Sequence, residues 1–174
     1  MSKINYDLRK IKAVAFDVDG VLSPATVPLD PDGQPRRMAN LRDGYAMVIA
    51  VKQGLRMAII SGADTTAVRK RFELIGVRDI FLGNIDKLPL FESWLEANDL
   101  KPEEVAYVGD DIPDLPVLKR AGLSVAPRDA SPEIKEAAVY VTAAEGGYGV
   151  GRELLEEILK AQGKWPASHT AVGS

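Results

Sequence analysis

The sequence predicts an α/β fold: a central parallel sheet covered on both faces by helices. Three observations carry that expectation. Short apolar runs rich in β-formers alternate with longer stretches of helical spacing, the pattern that βαβ crossovers leave in a chain. The clearest run, "AVAF", is apolar throughout, as a strand buried on both sides is. Several of the runs also end in short polar turns instead of tapering into loops.

The elements follow in order. "AVAF" (13–16) is the first strand and "MAII" (57–60) the second. "VAYVG" (105–109) is another, with "SVA" (124–126) and "VYVT" (139–142) as shorter candidates. Residues 44–54 and 64–76 carry helical spacing and end at Gly54 and Gly76, which suit C-caps. Residues 87–100 form a further helix, with Pro89 tolerated in its first turn. Residues 150–161 form a last amphipathic helix. Two segments break the alternation. Residues 23–40 have turn chemistry at Asp30–Gly33 between short extended pieces, which predicts a β-hairpin projecting from the sheet. Pro24, Pro28 and Pro35 confine its strands to edges or bulges. Residues 163–174 lose all periodicity and are expected to be a flexible tail; they contain the sole histidine, His169, a poor position for a general base.

Bulk properties narrow the function classes. The 174 residues suit one domain, expected over 1–162, large enough to bury a real core. Hydrophobic content of 46% against 27% charged residues is ordinary for a soluble protein. No apolar run approaches the roughly 20 residues that span a bilayer, and the charged N-terminus does not resemble a secretory signal. Cysteine is absent, which removes disulfides, thiolate catalysis and zinc-thiolate sites. Net charge is −3 with no basic block, so nucleic acid is not an expected partner. A cytoplasmic protein is the economical reading.

The chemistry is expected at the strand ends, because ligands of open parallel sheets bind beyond the carboxyl ends of the strands. The first strand ends in Asp17-Val18-Asp19-Gly20, the second in Ser61-Gly62, and the third in Gly109-Asp110-Asp111 with Asp114 following. Asp86-Lys87 precedes a helix. Carboxylates converging from different strands suit a hard cation such as Mg²⁺, which also lets two acids stand close while ionised. The metal and Lys87 would supply the charge that a phosphate dianion needs. Ser61 and the N–H groups at Gly62 are candidate donors to phosphate oxygens. One acid of the first strand is then a candidate nucleophile, and its neighbour a candidate proton donor. Taken singly, each feature has a structural alternative. The Asp-x-Asp and Ser-Gly pairs suit turns, Asp86 suits an N-cap, and Gly109–Asp111 could cap a helix through Leu115–Leu118.

Taken together and in order, "FDVDGV", "IISG", "DK" and "YVGDDIPD" resemble the four motifs of the haloacid dehalogenase superfamily of phosphohydrolases, over Ile11 to about Leu159. The resemblance implies a Rossmann-like three-layer α/β/α fold and a Mg²⁺-dependent phosphatase. It implies Asp17 as nucleophile, Asp19 as general acid/base, and Ser61 and Lys87 as holders of the phosphoryl group. It also implies a Mg²⁺ site of Asp17, Asp110 and the Asp19 carbonyl, with Asp111 and Asp114 in support. Only a hairpin follows the first motif, and one helix and a short strand fill the interval from second to third, so the subfamily is a capless one. "NLRDGYAM" (40–47) and "EGGYGVGRELLEEIL" (145–159) resemble the 3-deoxy-D-manno-octulosonate (KDO) 8-phosphate phosphatases of lipopolysaccharide synthesis. That resemblance implies a homotetramer joined through its hairpins, a C-terminal segment covering a neighbour's site, and Arg42 facing the sugar acid's carboxylate. The chain departs from the family pattern at Ser23-Pro24-Ala25 and in the prolines of its hairpin. Two alternatives stand beside this reading: a phosphatase of nine-carbon, sialic-acid-type 9-phosphates, and a phospho-aspartate receiver module. Receivers place adjacent acids after the first strand, unlike the Asp-x-Asp-Gly spacing here.

Overall fold

The computed structural model describes residues 1–166; His169 and most of the tail fall outside the described residues. The strands are β1 (Ala13–Phe16), β2 (Arg56–Ser61), β3 (Asp79–Leu82), β4 (Val105–Val108), β5 (Leu123–Ala126) and β6 (Tyr140–Val141). The helices are α1 (Leu41–Lys52), α2 (Thr66–Ile75), α3 (Lys87–Ala97), α4 (Leu115–Arg120), α5 (Pro132–Ala137) and α6 (Val150–Ala161). The strands form one six-stranded sheet, all pairs parallel, in the order β3-β2-β1-β4-β5-β6. The chain winds outward in one direction from β1 and in the other from β4. The gap between those two strand ends is the switch point where such sheets hold their ligands.

The strands bury both faces, and their residues divide by the period of two. Val14, Phe16, Met57, Ile59, Ala106 and Val108 pack toward α1, α2 and α6. Ala13, Ala15, Ala58, Ile60, Val105 and Tyr107 pack toward α3, α4 and α5. The alanines of the second face leave room for bulk from α3. Phe91 and Trp94 supply it, with the Phe91 ring edge-on to Tyr107 at 5.9 Å between centroids.

The expected alternation of strands and helices is therefore present, with shifts at the ends. α1 begins at Leu41, ahead of the expected 44, because the Asn40 side chain accepts from the N–H groups of Arg42 and Asp43. α3 stops at Ala97, short of the expected 100, and the last strand shrinks to Tyr140–Val141. α5, a single six-residue helix behind Ser131-Pro132, is too short to show periodicity in the sequence. The projecting hairpin is narrow. It has one antiparallel bridge, Leu29 to Pro35, and Arg36 N–H donates to the Pro28 carbonyl at 2.8 Å.

Within segment 145–159 the apolar face of α6 is core of its own chain. Val150, Leu154, Leu155, Ile158 and Leu159 are buried against α1 and the sheet. Asp43 of α1 caps α6 from across the interface: its Oδ1 accepts from Arg152 N–H at 2.8 Å. Its Oδ2 is buried with no hydrogen-bond partner among the described residues. Burial raises the Asp43 carboxyl to about 6, against the backbone N–H groups of Arg152 and Gly151.

A carboxyl raised in this way binds its proton more tightly when folded. Its contribution to stability is present below the ordinary carboxyl range and is lost as pH rises through about 6. Asp43→Ala should cost about 1–2 kcal/mol near pH 5, the size of a lost helix cap, and measurably less near pH 8. Urea unfolding at the two pH values checks this, and equal losses would contradict it.

Candidate active site

The register of the sheet sets the site. Phe16 of β1 lies level with Ile59 of β2 and Val108 of β4, and Asp17 N–H still donates to the Val108 carbonyl at 3.0 Å. Asp17, Ser61 and Asp110 therefore leave the sheet at the same edge. Lys87, the first residue of α3, reaches into it from the next crossover.

Lys87 is buried and stands between two carboxylates. Its Nζ is 3.0 Å from Asp17 Oδ2 and 2.7 Å from Asp114 Oδ1. Burial alone lowers an ammonium's pKa, but Asp17 and Asp114 overcome it and the net direction is upward. Asp114 is saturated. Its Oδ1 also accepts from Tyr107 OH at 2.6 Å, and its Oδ2 accepts from Asp110 N–H at 2.9 Å and Asp111 N–H at 3.4 Å. Both oxygens of Asp114 are thus engaged, by Lys87 and Tyr107 on one side and by two backbone N–H groups on the other. Asp111 caps the short turn Ile112–Asp114 through Ile112 N–H.

Asp17 and Asp110 are differently placed. Asp17 Oδ1 accepts from Val18 N–H at 2.7 Å. Burial, with Asp114 nearby, raises its carboxyl well above the usual range, and Lys87 only partly opposes this. Burial likewise raises Asp110 to about 7, with Asp114 and Asp111 adding to the shift. One oxygen each from Asp17, Asp110 and Asp114 lie within 4.8 Å of one another. A hard, all-oxygen donor set with a shortfall of positive charge fits Mg²⁺. Since Asp114 is already spent on hydrogen bonds, Asp17 and Asp110 are the carboxylates left for an ion. Gly20 makes their convergence possible. Its φ of 76° is left-handed, and a Cβ there would lie 1.8 Å from Asp110 Oδ2.

Ser61 is buried at the end of β2, and its Oγ accepts from Ala63 N–H at 3.1 Å, which leaves the hydroxyl proton to donate outward. Gly62 follows it at the surface. Asp86 occupies the N-cap position of α3 without a side-chain cap bond. The loop carrying Asp19 is clamped from the C-terminal side. Gly147 N–H donates to the Val21 carbonyl at 2.8 Å, and a Cβ on Gly146 would lie 1.9 Å from the Gly20 carbonyl oxygen. The "GGYG" run thus packs directly on the first-motif loop.

Arg42 is not brought to this cluster. It lies exposed on a groove of about 640 Å³ with Tyr148 and Arg152, and makes no side-chain hydrogen bond among the described residues. The cation that does arrive is Arg37, from the hairpin. Its Nε and Nη2 bind Asp19 Oδ1 and Oδ2 at 2.9 and 3.0 Å. Sequence reasoning missed Arg37 because its place depends on the path of an irregular loop. It also missed Tyr107, whose one signal is a phenol in an otherwise aliphatic buried strand two residues before Gly109.

Comparison with known proteins adds four findings. The family described as haloacid dehalogenase-like hydrolase matches residues 50–154. The 3-deoxy-D-manno-octulosonate 8-phosphate phosphatase KdsC of Escherichia coli K12 is 40% identical over 154 residues, 88% of this chain and 82% of that protein. Among solved structures, the 3-deoxy-D-manno-octulosonate 8-phosphate phosphatase of Moraxella catarrhalis, in complex with magnesium ion, phosphate ion and KDO, superposes with a TM-score of 0.86 at 30% identity. The match covers 90% of each chain. The corresponding Yersinia pestis enzyme gives 0.87 at 36% identity, over 91% of this chain and 85% of that one.

If Lys87 neutralises two buried acids, Lys87→Met should destabilise the metal-free protein by about 3–5 kcal/mol, the usual cost of removing one partner from a buried ion pair. Chemical unfolding in the presence of a chelator measures this. A loss below about 1 kcal/mol, the scale of an exposed pair, would contradict the arrangement.

Proposed function

The chain belongs to the haloacid dehalogenase-like hydrolase family, and on that premise we propose that it is a Mg²⁺-dependent phosphatase of KDO 8-phosphate. The observation that carries the reading is the switch-point cluster. A buried ammonium is shared by Asp17 and Asp114, and the Asp110 carboxylate beside them is left for a cation. Similarity to KDO 8-phosphate phosphatases over most of the chain supports the choice of substrate.

Each residue has a task in this reading. Asp17 attacks phosphorus, the bond from phosphorus to the sugar oxygen breaks, and an aspartyl-phosphate forms. Asp19 gives a proton to the leaving oxygen. In the second half Asp19 takes a proton from water, whose oxygen displaces Asp17 from phosphorus and releases phosphate. Two of the three N–H donors of Lys87 are engaged by Asp17 and Asp114, so one is left for a phosphoryl oxygen. The Ser61 hydroxyl and the Gly62 N–H are the other donors. Asp17, Asp110 and the Asp19 carbonyl would hold Mg²⁺, which supplies positive charge where the phosphoryl group carries its negative charge. Tyr107 and Asp114 position Lys87.

The same reading extends to the setting. No helix among the described residues is long and apolar enough to cross a membrane, which agrees with a cytoplasmic enzyme of lipopolysaccharide precursor synthesis. Exposed Leu29, Met38, Leu41 and Tyr148 on and beside the hairpin support a homotetramer joined through that face.

Purified protein with Mg²⁺ should release phosphate from KDO 8-phosphate faster than from a nine-carbon sugar acid 9-phosphate. Asp17→Asn and chelation of Mg²⁺ should each abolish the release. Steady-state assays of the two substrates side by side check both points. No phosphate from either would overturn the enzyme reading, and a preference for nine carbons would overturn the substrate.

A further inference from the structure

The contact between Arg37 and Asp19 has no part in the chemistry above. The guanidinium covers both oxygens of Asp19 in a planar fork. Only 13% of the Arg37 side chain is exposed, against 47% for Asp19. The backbone on either side of Arg37 is pinned. Arg36 N–H donates to the Pro28 carbonyl at 2.8 Å, and Met38 N–H donates to the buried Ser23 Oγ at 3.0 Å. Ser23 in turn forms a bridge with Asp19 itself. The fork is therefore built from a rigid arm, and a flexible surface side chain would not be held so.

This geometry conflicts with the task of Asp19. A carboxyl group that must face the leaving oxygen cannot do so while both of its oxygens face a guanidinium. The fork has to open, and a guanidinium leaves one carboxylate most readily for another that matches its planar donors. Arg37 is among the residues that line a cavity of about 460 Å³ between the hairpin, α1 and α2.

We propose that Arg37 is a specificity-determining residue: a carboxylate on the substrate takes its guanidinium, and only then is Asp19 released to face the leaving oxygen. The substrate class is a phosphate monoester bearing a second anionic group, which a sugar acid phosphate is. A neutral sugar phosphate has nothing to open the fork and turns over slowly although its phosphate fits. The proposal rests on the reading of Asp19 as proton donor and assigns to Arg37 the selectivity that the sequence suggested for Arg42.

The test compares wild type, Arg37→Met and Arg37→Lys, all loaded with Mg²⁺, on KDO 8-phosphate and on a neutral sugar phosphate. For Arg37→Met, kcat/KM should fall on the acid and rise on the neutral ester. The preference should shrink by about tenfold or more, the scale of one charge-assisted hydrogen bond. Arg37→Lys should retain part of the preference. Equal losses on both substrates would mean a structural role and overturn the proposal. A second readout needs no turnover: calorimetric titration with KDO, which carries the carboxylate and no phosphate. Wild type should bind KDO about tenfold more tightly than Arg37→Met, with inorganic phosphate bound equally by both. If wild type itself does not prefer the acid, the substrate reading fails, and the KDO titration still decides for or against Arg37.

Discussion

One ammonium between two buried carboxylates is the constraint on which the rest of the site depends. Asp17 is fixed at the end of β1, and Asp114 sits behind the turn after β4. The two strands are neighbours, so their acids face each other across the switch point. Without Lys87 that approach would be electrostatically costly. With it, the end of a strand, the turn after another and the start of α3 are tied at one point. Tyr107 and two backbone N–H groups complete the shell of Asp114, which cannot swing away from the ammonium without leaving donors unpaired.

The glycines and the C-terminal loop serve the same point. Gly20 lets Asp110 close on the first loop, and Gly146 lets the loop before α6 press on the Gly20 carbonyl. α6 is in turn held by Asp43, whose carboxylate caps it from α1. The two family-like segments, 40–47 and 145–159, therefore meet within one chain. Their first consequence is to fix the loop that carries Asp19. Any role toward a neighbouring subunit comes in addition to this packing.

Much of this was legible in the sequence, for identifiable reasons. Strands such as "AVAF" and "MAII" are short apolar runs whose burial leaves little choice of conformation, and acids directly behind such strands lie at one edge of a parallel sheet. That logic placed Asp17, Ser61, Asp110 and Asp114 together, with Lys87 added by the order of the motifs. What depended on long-range packing was not legible. The meeting of Arg37 with Asp19 is set by the route of a proline-rich loop with a single bridge. The groove that Arg42 lines with Tyr148 and Arg152 is likewise formed by segments far apart in the chain. The helix of residues 150–161 was legible from its apolar stripe, but the packing of the loop before it on the first-motif loop was not.

The central claim is that Asp17 itself takes the phosphoryl group. The stereochemical course at phosphorus tests it most directly, with an isotopically chiral phosphorothioate ester of the substrate hydrolysed in isotopically labelled water and configurational analysis of the thiophosphate released. Transfer to Asp17 and then to water is two in-line displacements, so the configuration should be retained. Inversion would mean a single displacement by water and would contradict the covalent role of Asp17.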